Sequence, residues 1–205
     1  MPPRTTVPRR KDAVATRAKL VRAALELFTV DGYRGTTTLE IASRARTAEA
    51  TIYRHFVGKD ALYNAALRES LKLGLALVRD GEGLRGPGCR ERLRRLGHRL
   101  VEEAARDAPL IMMLFRRGPG PALDENSALL SREFRDGIVQ MVAAGKQEGV
   151  IRAGAAELWT AVWLAVVGFA VERVVAKEWS ADHPSVGPTL DSAWDAIAYR
   201  ATGPG

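Results

Sequence analysis

The stretch GYRGTTTLEIASRARTAEATIYRHFVGKDAL, residues 32–62, decides the fold of the first part of this 205-residue chain. Its threonines at 36–38 suit the start of a helix, because a side-chain hydroxyl caps free backbone N–H groups. Apolar residues at helical spacing follow, and residues 46–48 interrupt the pattern. A second short helix then carries Ile52 and Phe56 on one face. Two short helices joined by a turn of about three or four residues predict a helix-turn-helix.

A longer helix precedes this pair. Leu20, Ala24, Leu27 and Phe28 recur at i, i+4, i+7 and i+8 and mark one face of a helix. Gly32 follows, in a position where helices commonly end in a left-handed conformation. Since Ile52 and Phe56 occupy the inner face of the third helix, its exposed surface is predicted to consist of Glu49, Ala50, Thr51, Tyr53, Arg54 and His55.

Positive charge is concentrated in the same region. Residues 1–60 carry twelve Lys or Arg against six Asp or Glu, whereas residues 61–205 carry nineteen against eighteen. A basic first part joined to a near-neutral second part points to a polyanionic partner for the first part. The alternative interpretation is a solvated face that binds nothing, and charge alone does not separate the two.

The first quarter of the chain resembles the N-terminal domain of the TetR family of bacterial transcriptional regulators. The resemblance covers roughly residues 15–63 and rests on residues at fixed spacing: Phe28, Gly32, Tyr33, Thr36, Thr37, Ile41, Ala42, Ala45, Thr51, Tyr53, His55, Phe56 and Lys59. It implies that residues 48–53 and 55 belong to the recognition helix, and that Thr37 and Lys59 contact phosphates from helix starts, where anions are favoured.

This chain departs from the family pattern in the turn and at the start of the recognition helix. The family usually has glycine where this chain has Arg46, serine where it has Ala48, and often glycine where it has Ala50. Arg46 has two interpretations, a DNA contact or a solvated side chain. Glu49 either accepts a hydrogen bond from a cytosine amino group or favours the helix N-terminus, and we favour the second.

The remainder of the chain reads as helices separated by Gly- and Pro-rich loops, and no run shows the alternation of a strand. We therefore predict an all-α protein of about nine helices. Residues 1–13 are predicted to form a flexible basic arm, residues 14–60 the helix-turn-helix domain, and residues 61–205 a ligand-sensing and dimerisation domain.

Bulky aromatic residues and methionines in the last domain suit a pocket for a hydrophobic small molecule. For any one of them, ordinary core packing is the competing interpretation. The predicted pocket consists of Leu100, Met112, Phe115, Phe134, Met141, Trp159 and Trp163.

Two helices near the end, at about 156–178 and 188–200, are predicted to form a dimer interface. The run from Leu158 to Val171 is apolar on nearly all sides, so pairing with a second copy would cover it as a four-helix bundle. At fourteen residues this run is too short for a hydrocarbon core of about 30 Å, and we expect no membrane span. The predicted interface residues are Val162, Val166, Phe169, Trp194 and Ile197.

Signatures of enzymes and metal sites are absent from the sequence. It has no phosphate-cradling glycine loop and no zinc-ligand spacing, and Cys89 is the only cysteine. A single cysteine suits a reducing cytosol, and the start of the chain has no apolar stretch of signal-peptide length. We expect a cytoplasmic protein that is not an enzyme, with no cofactor and no bound metal.

The function implied by the resemblance is repression relieved by a ligand. Partners are then double-stranded DNA carrying a palindromic operator, a second copy of the chain, and a small hydrophobic effector. Three alternatives stay open: an activator or nucleoid-associated DNA-binder on the same fold, a helical small-molecule carrier without specific DNA binding, and, most weakly, an enzyme.

Overall fold

The computed structural model describes residues 10–82, 88–116, 118 and 120–199. The all-α prediction is confirmed: apart from one isolated bridge between Ile151 and Ala198, every regular element in these residues is a helix. The helices are α1 (Arg10–Val30), α2 (Gly32–Gly35), α3 (Thr38–Arg44), α4 (Glu49–His55), α5 (Gly58–Glu82), α6 (Cys89–Arg106), α7 (Ala108–Phe115), α8 (Glu125–Gln147), α9 (Ala156–Val175) and α10 (Val186–Asp195).

The first helix is longer than the sequence predicts. It begins at Arg10, so residues 10–13, which were assigned to the basic arm, are helical. No proline or glycine follows Pro8 until the helix ends, and nothing in this stretch therefore opposes helix formation. The rest of the predicted arm, residues 1–9, lies outside the described residues. Gly32 has a φ of 78°, which is the left-handed conformation predicted for it.

The chain divides into two compact units. Unit 1 comprises the described residues of Met1–Arg68 and Arg117–Ser127, and unit 2 those of Glu69–Arg116 and Ala128–Gly205. The division therefore falls inside α5 rather than at the predicted boundary after residue 60. Sequence periodicity could not show that the connection between α7 and α8 clusters with the N-terminal helices, because that contact joins distant parts of the chain.

The core of unit 1 is built by the apolar faces of its first helices. Leu20 and Phe28 of α1 are fully buried, and α1 packs against α3, which in turn packs against α4. Ile52, the predicted inner anchor of the third predicted helix, is also fully buried, and Phe56 nearly so. The ring of Phe28 packs edge-on against that of Tyr63, with centroids 5.2 Å apart. These contacts hold α3 and α4 in a fixed relative orientation.

A buried amide ties the α7–α8 connection into unit 1. Asn64 is only 3% exposed. Its Nδ2 donates to the carbonyl oxygens of Asp60 (2.9 Å) and Ala122 (3.2 Å), and its Oδ1 accepts from the N–H of Asp124 (3.0 Å). Asp124 caps the start of α8 by accepting from the N–H of Ser127 at 2.8 Å. This hydrogen bond and, to a smaller extent, the ion pair with Arg68 hold the pKa of the Asp124 carboxyl below its usual range.

Unit 2 is organised around α9, which contacts α6, α7 and α10. Trp163, the largest fully buried side chain, lies on this helix. Helix α6 adds a buried stripe that includes Leu93, Leu96 and Leu100. Helices α6 and α10 approach closely at Gly97, where an added Cβ would lie 2.9 Å from Leu190. The buried side of α9 is thus covered by three helices of its own chain.

The opposite side of α9 is uncovered. The helix has 20 residues and is longer than the fourteen-residue apolar run seen in the sequence. An 18-residue stretch of it has a mean hydropathy of 1.7. By length and composition it is the one helix in the described part of the chain that could cross a membrane, a test that core helices also pass. Only 39% of this stretch is buried, and the exposed fractions of Leu158 and Phe169 are 53% and 47%.

Candidate nucleic-acid interface

Helix α3 begins with a capping box. The N–H of Glu40 donates to Thr37 Oγ1 at 3.2 Å, and the N–H of Thr37 donates to Glu40 Oε2 at 2.7 Å. The Thr37 hydroxyl also donates to Glu40 Oε2 at 2.8 Å, and these bonds lower the pKa of the Glu40 carboxyl. Such a box satisfies two free N–H groups and fixes where the helix starts. The Thr37 side chain is exposed, as a phosphate contact requires.

The turn between α3 and α4 is closed by backbone hydrogen bonds. The N–H of Arg46 donates to the carbonyl of Ser43 and the N–H of Thr47 to that of Ala42, both at 3.0 Å. Arg46 has a φ of 55°, in the left-handed region where glycine is favoured. Arg46 thus adopts a backbone conformation that suits the glycine usual at this position in the family the sequence resembles, and its side chain is exposed.

Helix α4 presents a smaller surface than the sequence predicts. Ala50, Tyr53 and Arg54 are exposed, and Glu49 and His55 are half-buried. The placement of Thr51 on this surface was wrong, because its side chain is only 6% exposed. Thr51 lies on the side of the helix that also carries Ile52 and His55, and its Oγ1 accepts from Arg54 Nη2 at 2.9 Å.

Glu49 is held by the neighbouring helix. Thr38 Oγ1, in the first turn of α3, donates to Glu49 Oε1 at 2.5 Å, and the Tyr53 hydroxyl lies 3.5 Å from the same Thr38 oxygen. The carboxylate therefore joins the starts of α3 and α4, where helix dipoles favour negative charge. This contact supports the helix-terminus interpretation of Glu49, and its Thr38 partner had no signal in the sequence.

Lys59 is engaged within the fold. Its Nζ donates to the carbonyl oxygens of Tyr33 and Thr36, both at 3.0 Å, and lies 4.2 Å from the centroid of the Tyr33 ring. The Tyr33 hydroxyl donates to Asp60. Burial, and to a smaller extent this hydrogen bond, raise the pKa of Tyr33 to about 12. Since two of the three N–H groups of Lys59 are used, the residue positions the α2–α3 corner and retains one donor for a phosphate.

The predicted pocket residues all lie in unit 2, on helices α6, α7, α8 and α9. Leu100, Phe134, Met141 and Trp163 are buried, and the others are half-buried. Phe134 packs on Gly74 and Phe115 on Gly168. Trp159 is turned to a loop, where its Nε1 donates to the carbonyl of Ala153 at 3.1 Å. These are packing contacts within unit 2, and the pocket for a small molecule stays a prediction.

Unit 2 has a groove that sequence reasoning missed. Its volume is about 410 Å³, and none of the seven predicted pocket residues lines it. Its wall is formed mostly by charged and polar side chains, with two leucines among them: Leu77, Asp80, Arg94, Arg95, Leu96, His98, Arg99 and Glu102. Two buried hydroxyl oxygens, Ser70 Oγ and Thr160 Oγ1, find no hydrogen-bond partner among the described residues. Neither feature has a signature in a single sequence.

The predicted dimer residues separate into two groups. Phe169 is exposed, and Val162, Val166 and Trp194 are half-buried, so all four are accessible to a partner. The placement of Ile197 at the interface was wrong, because it is fully buried within its own chain. It follows α10, which ends at Asp195 and not near residue 200 as predicted. An aromatic cluster was missed: Trp179 stacks on His183 and meets Phe169 edge-on, with centroids 5.1 and 5.7 Å apart.

The geometry of unit 1 is that of a helix-turn-helix. A capped helix, a closed turn and a short second helix with one buried and one exposed face match the arrangement that places a recognition helix in a DNA major groove. Residues 20–66 match the family model described as bacterial regulatory proteins, tetR family. The chain is therefore a helix-turn-helix transcriptional regulator.

Relatives extend the similarity through most of the chain. The transcriptional regulator YvkB of Bacillus subtilis is 27% identical over 164 residues, which cover 78% of this chain and 83% of that protein. TcmR of Streptomyces glaucescens is 28% identical over 193 residues, covering 89% and 82% respectively. A TetR family regulator from Marinobacter aquaeolei shares the fold, with a TM-score of 0.72, 21% identity, and coverage of 94% of this chain and all of that one. Residues 20–66 thus carry the N-terminal domain of the TetR family of bacterial regulators, and the whole chain is similar in sequence and fold to regulators of that family.

Proposed function

We propose that the chain is a cytoplasmic, homodimeric repressor that leaves a palindromic operator when a small, largely apolar molecule binds to unit 2. The observation that carries the dimer is the uncovered apolar side of α9. Leu158, Val162, Val166 and Phe169 follow one another along this side, and its exposure in a single chain is costly in water. A second copy of α9 and α10 would cover it as a four-helix bundle.

Dimerisation serves DNA recognition. Two recognition helices related by a two-fold axis address half-sites about one helical turn, ~34–36 Å, apart. In each copy, Ala50, Tyr53 and Arg54 are exposed on α4, and Thr37 is exposed at the start of α3. The Tyr53 hydroxyl and the Arg54 guanidinium can donate to phosphates and set the register, whereas contacts to base edges specify the sequence. Glu49 accepts a hydrogen bond from Thr38 Oγ1, so we propose that it positions α4 rather than contacting DNA.

The effector is proposed to bind in unit 2, the part of the chain that lacks a basic surplus. Ser70 Oγ and Thr160 Oγ1 support a ligand that carries at least one hydrogen-bonding group, because buried hydroxyls without partners cost about 1–3 kcal/mol each. The ligand acts by preferring the state whose recognition helices do not fit DNA. The ligand can shift this equilibrium only by the difference between its binding free energies to the two states, typically about 1–3 kcal/mol.

Selection of bound fragments from a genomic DNA library by the purified protein tests the DNA-binding function. We expect a fragment with an inverted repeat to be retained, and footprinting on it to show two protected half-sites. Binding without sequence preference would instead identify a nucleoid-associated protein, and no binding at low salt would identify a carrier.

The dimer and the effector are tested on the selected fragment. Sedimentation at micromolar concentration should give a dimer in solution and one dimer per operator. Apolar compounds with one polar group are then screened for release of the fragment. A monomer that binds the operator with full affinity would contradict the proposed assembly.

A further inference from the structure

Arg46 occupies a backbone conformation that opposes its side chain. Its φ of 55° places Cβ close to the following carbonyl, a strain that glycine avoids. Non-glycine residues persist in this region where surrounding structure or function requires them. The Arg46 side chain makes no hydrogen bond or ion pair with any described residue, so a contact within the chain does not account for it.

The side chain lines a basic cleft in unit 1. The cleft has a volume of about 320 Å³, and its wall is formed by α1 and the end of α3 with the turn: Lys19, Arg22, Ala23, Glu26, Arg44, Ala45 and Arg46. We call this site the turn cleft. It contains four cations and one carboxylate, and all four cationic side chains are exposed.

The single carboxylate of the turn cleft is already paired. Glu26 Oε1 accepts from Arg22 Nε and Glu26 Oε2 from Arg44 Nη1, both at 2.9 Å. Burial would raise the pKa of Glu26, but the two guanidinium groups outweigh it and lower the pKa. Glu26 therefore stays ionised and anchors two arginines across the cleft, while the side chains of Lys19 and Arg46 are left without partners among the described residues.

The position of the turn cleft in the chain suggests its ligand. Arg46 precedes Glu49, the first residue of α4, by three positions, and the turn between them is held by backbone hydrogen bonds. The N-terminal end of a recognition helix contacts base edges in the major groove. Because the backbone of the turn is held just before that end, we expect a cation there to lie near the rim of the groove, where the phosphate backbone runs.

We propose that the turn cleft binds a phosphodiester group of the DNA backbone beside the groove that α4 enters, with Arg46 and Lys19 as its free cations. The inference rests on the proposed DNA-binding function. The contact adds affinity and fixes the orientation of α4 without reading sequence. It also explains why the chain carries arginine in place of the family glycine.

Arg46→Gly is the decisive variant, because it removes the charge and suits the backbone. We expect an unchanged or higher melting temperature together with weaker binding to a mixed-sequence duplex of about 30 base pairs. The slope of log K against log salt should become less steep by about 0.9, the value for one phosphate contact. Lys19→Ala should give a similar loss, and Arg46→Lys should restore most of the slope.

Arg106→Ala is the matched control, since this arginine lies in unit 2 with 66% of its side chain exposed. It should leave the slope unchanged. Wild-type protein that fails to bind the duplex would overturn the DNA-binding function, and the turn cleft with it. Wild-type binding with an unchanged slope in Arg46→Gly would overturn the turn cleft alone.

A second experiment locates the phosphate. Single phosphates of a duplex selected by the wild-type protein are replaced in turn by uncharged methylphosphonates. We expect one linkage per half-site whose neutralisation weakens wild-type binding but not binding by Arg46→Gly. If every linkage affects the two proteins equally, Arg46 contacts no phosphate and the proposal is wrong.

Discussion

Asn64→Ala removes the amide that joins the α7–α8 connection to unit 1. Asn64 is 3% exposed and makes three hydrogen bonds, two to carbonyl oxygens and one from the N–H of Asp124. Alanine fills the helical position but can make none of them. We therefore expect the start of α8 to open locally far more often than in the wild-type protein.

The magnitude follows from the bonds that are lost. A typical hydrogen bond contributes about 0.5–1.5 kcal/mol net, so three give roughly 1.5–4.5 kcal/mol. Alanine recovers about 0.5 kcal/mol through its higher helix propensity, and Ala122 and Asp124 are exposed, so water replaces part of the loss. A net cost of about 2–3 kcal/mol corresponds to local opening roughly 30- to 150-fold more frequent.

Amide hydrogen exchange at Asp124 and Ser127, followed by NMR, measures this opening directly. The N–H groups of both residues are hydrogen-bonded in the wild-type structure and should exchange faster in Asn64→Ala by the stated factor. Asn126→Ala is the control, because Asn126 lies in the same turn of α8 with an exposed side chain. Equal protection at Asp124 in wild type and Asn64→Ala would refute the assigned role of Asn64.

Three further variants test other parts of the structure. Lys59→Ala should lower the free energy of unfolding by about 2 kcal/mol, because two bonds from a charged amine are lost; denaturation like that of wild type would contradict this. Val166→Glu should sediment as a monomer and lose the operator, since a symmetric interface buries each unpaired charge, whereas Leu129→Glu, on α8, should stay dimeric. Thr160→Val should raise the free energy of unfolding by about 1 kcal/mol, because the buried hydroxyl has no partner among the described residues. A lower free energy of unfolding in chemical denaturation would show that the hydroxyl is hydrogen-bonded in the wild-type protein.

The local sequence pattern was sufficient to predict that the chain is helical and which residues lie on the inner face of the helix-turn-helix. The spacing of Ile52 and Phe56 placed both in the core of unit 1, and Gly32 takes the left-handed conformation expected of it. These features depend on neighbours within a few residues, through helical periodicity and backbone sterics. Family resemblance added the recognition-helix positions, which a single sequence marks only by residue type.

Only the tertiary structure decided which neighbour each side chain meets. Thr51 is buried although its residue type suits the exposed face, because α4 turns a wider face inward than two anchors suggest. Ile197 is fully covered by its own chain, whereas Phe169 is 47% exposed, although both side chains are apolar. Asn64 and Asp124 meet across sixty residues of chain. Periodicity shows which face of an element is apolar, but long-range packing determines what covers that face and which polar groups are held beside it.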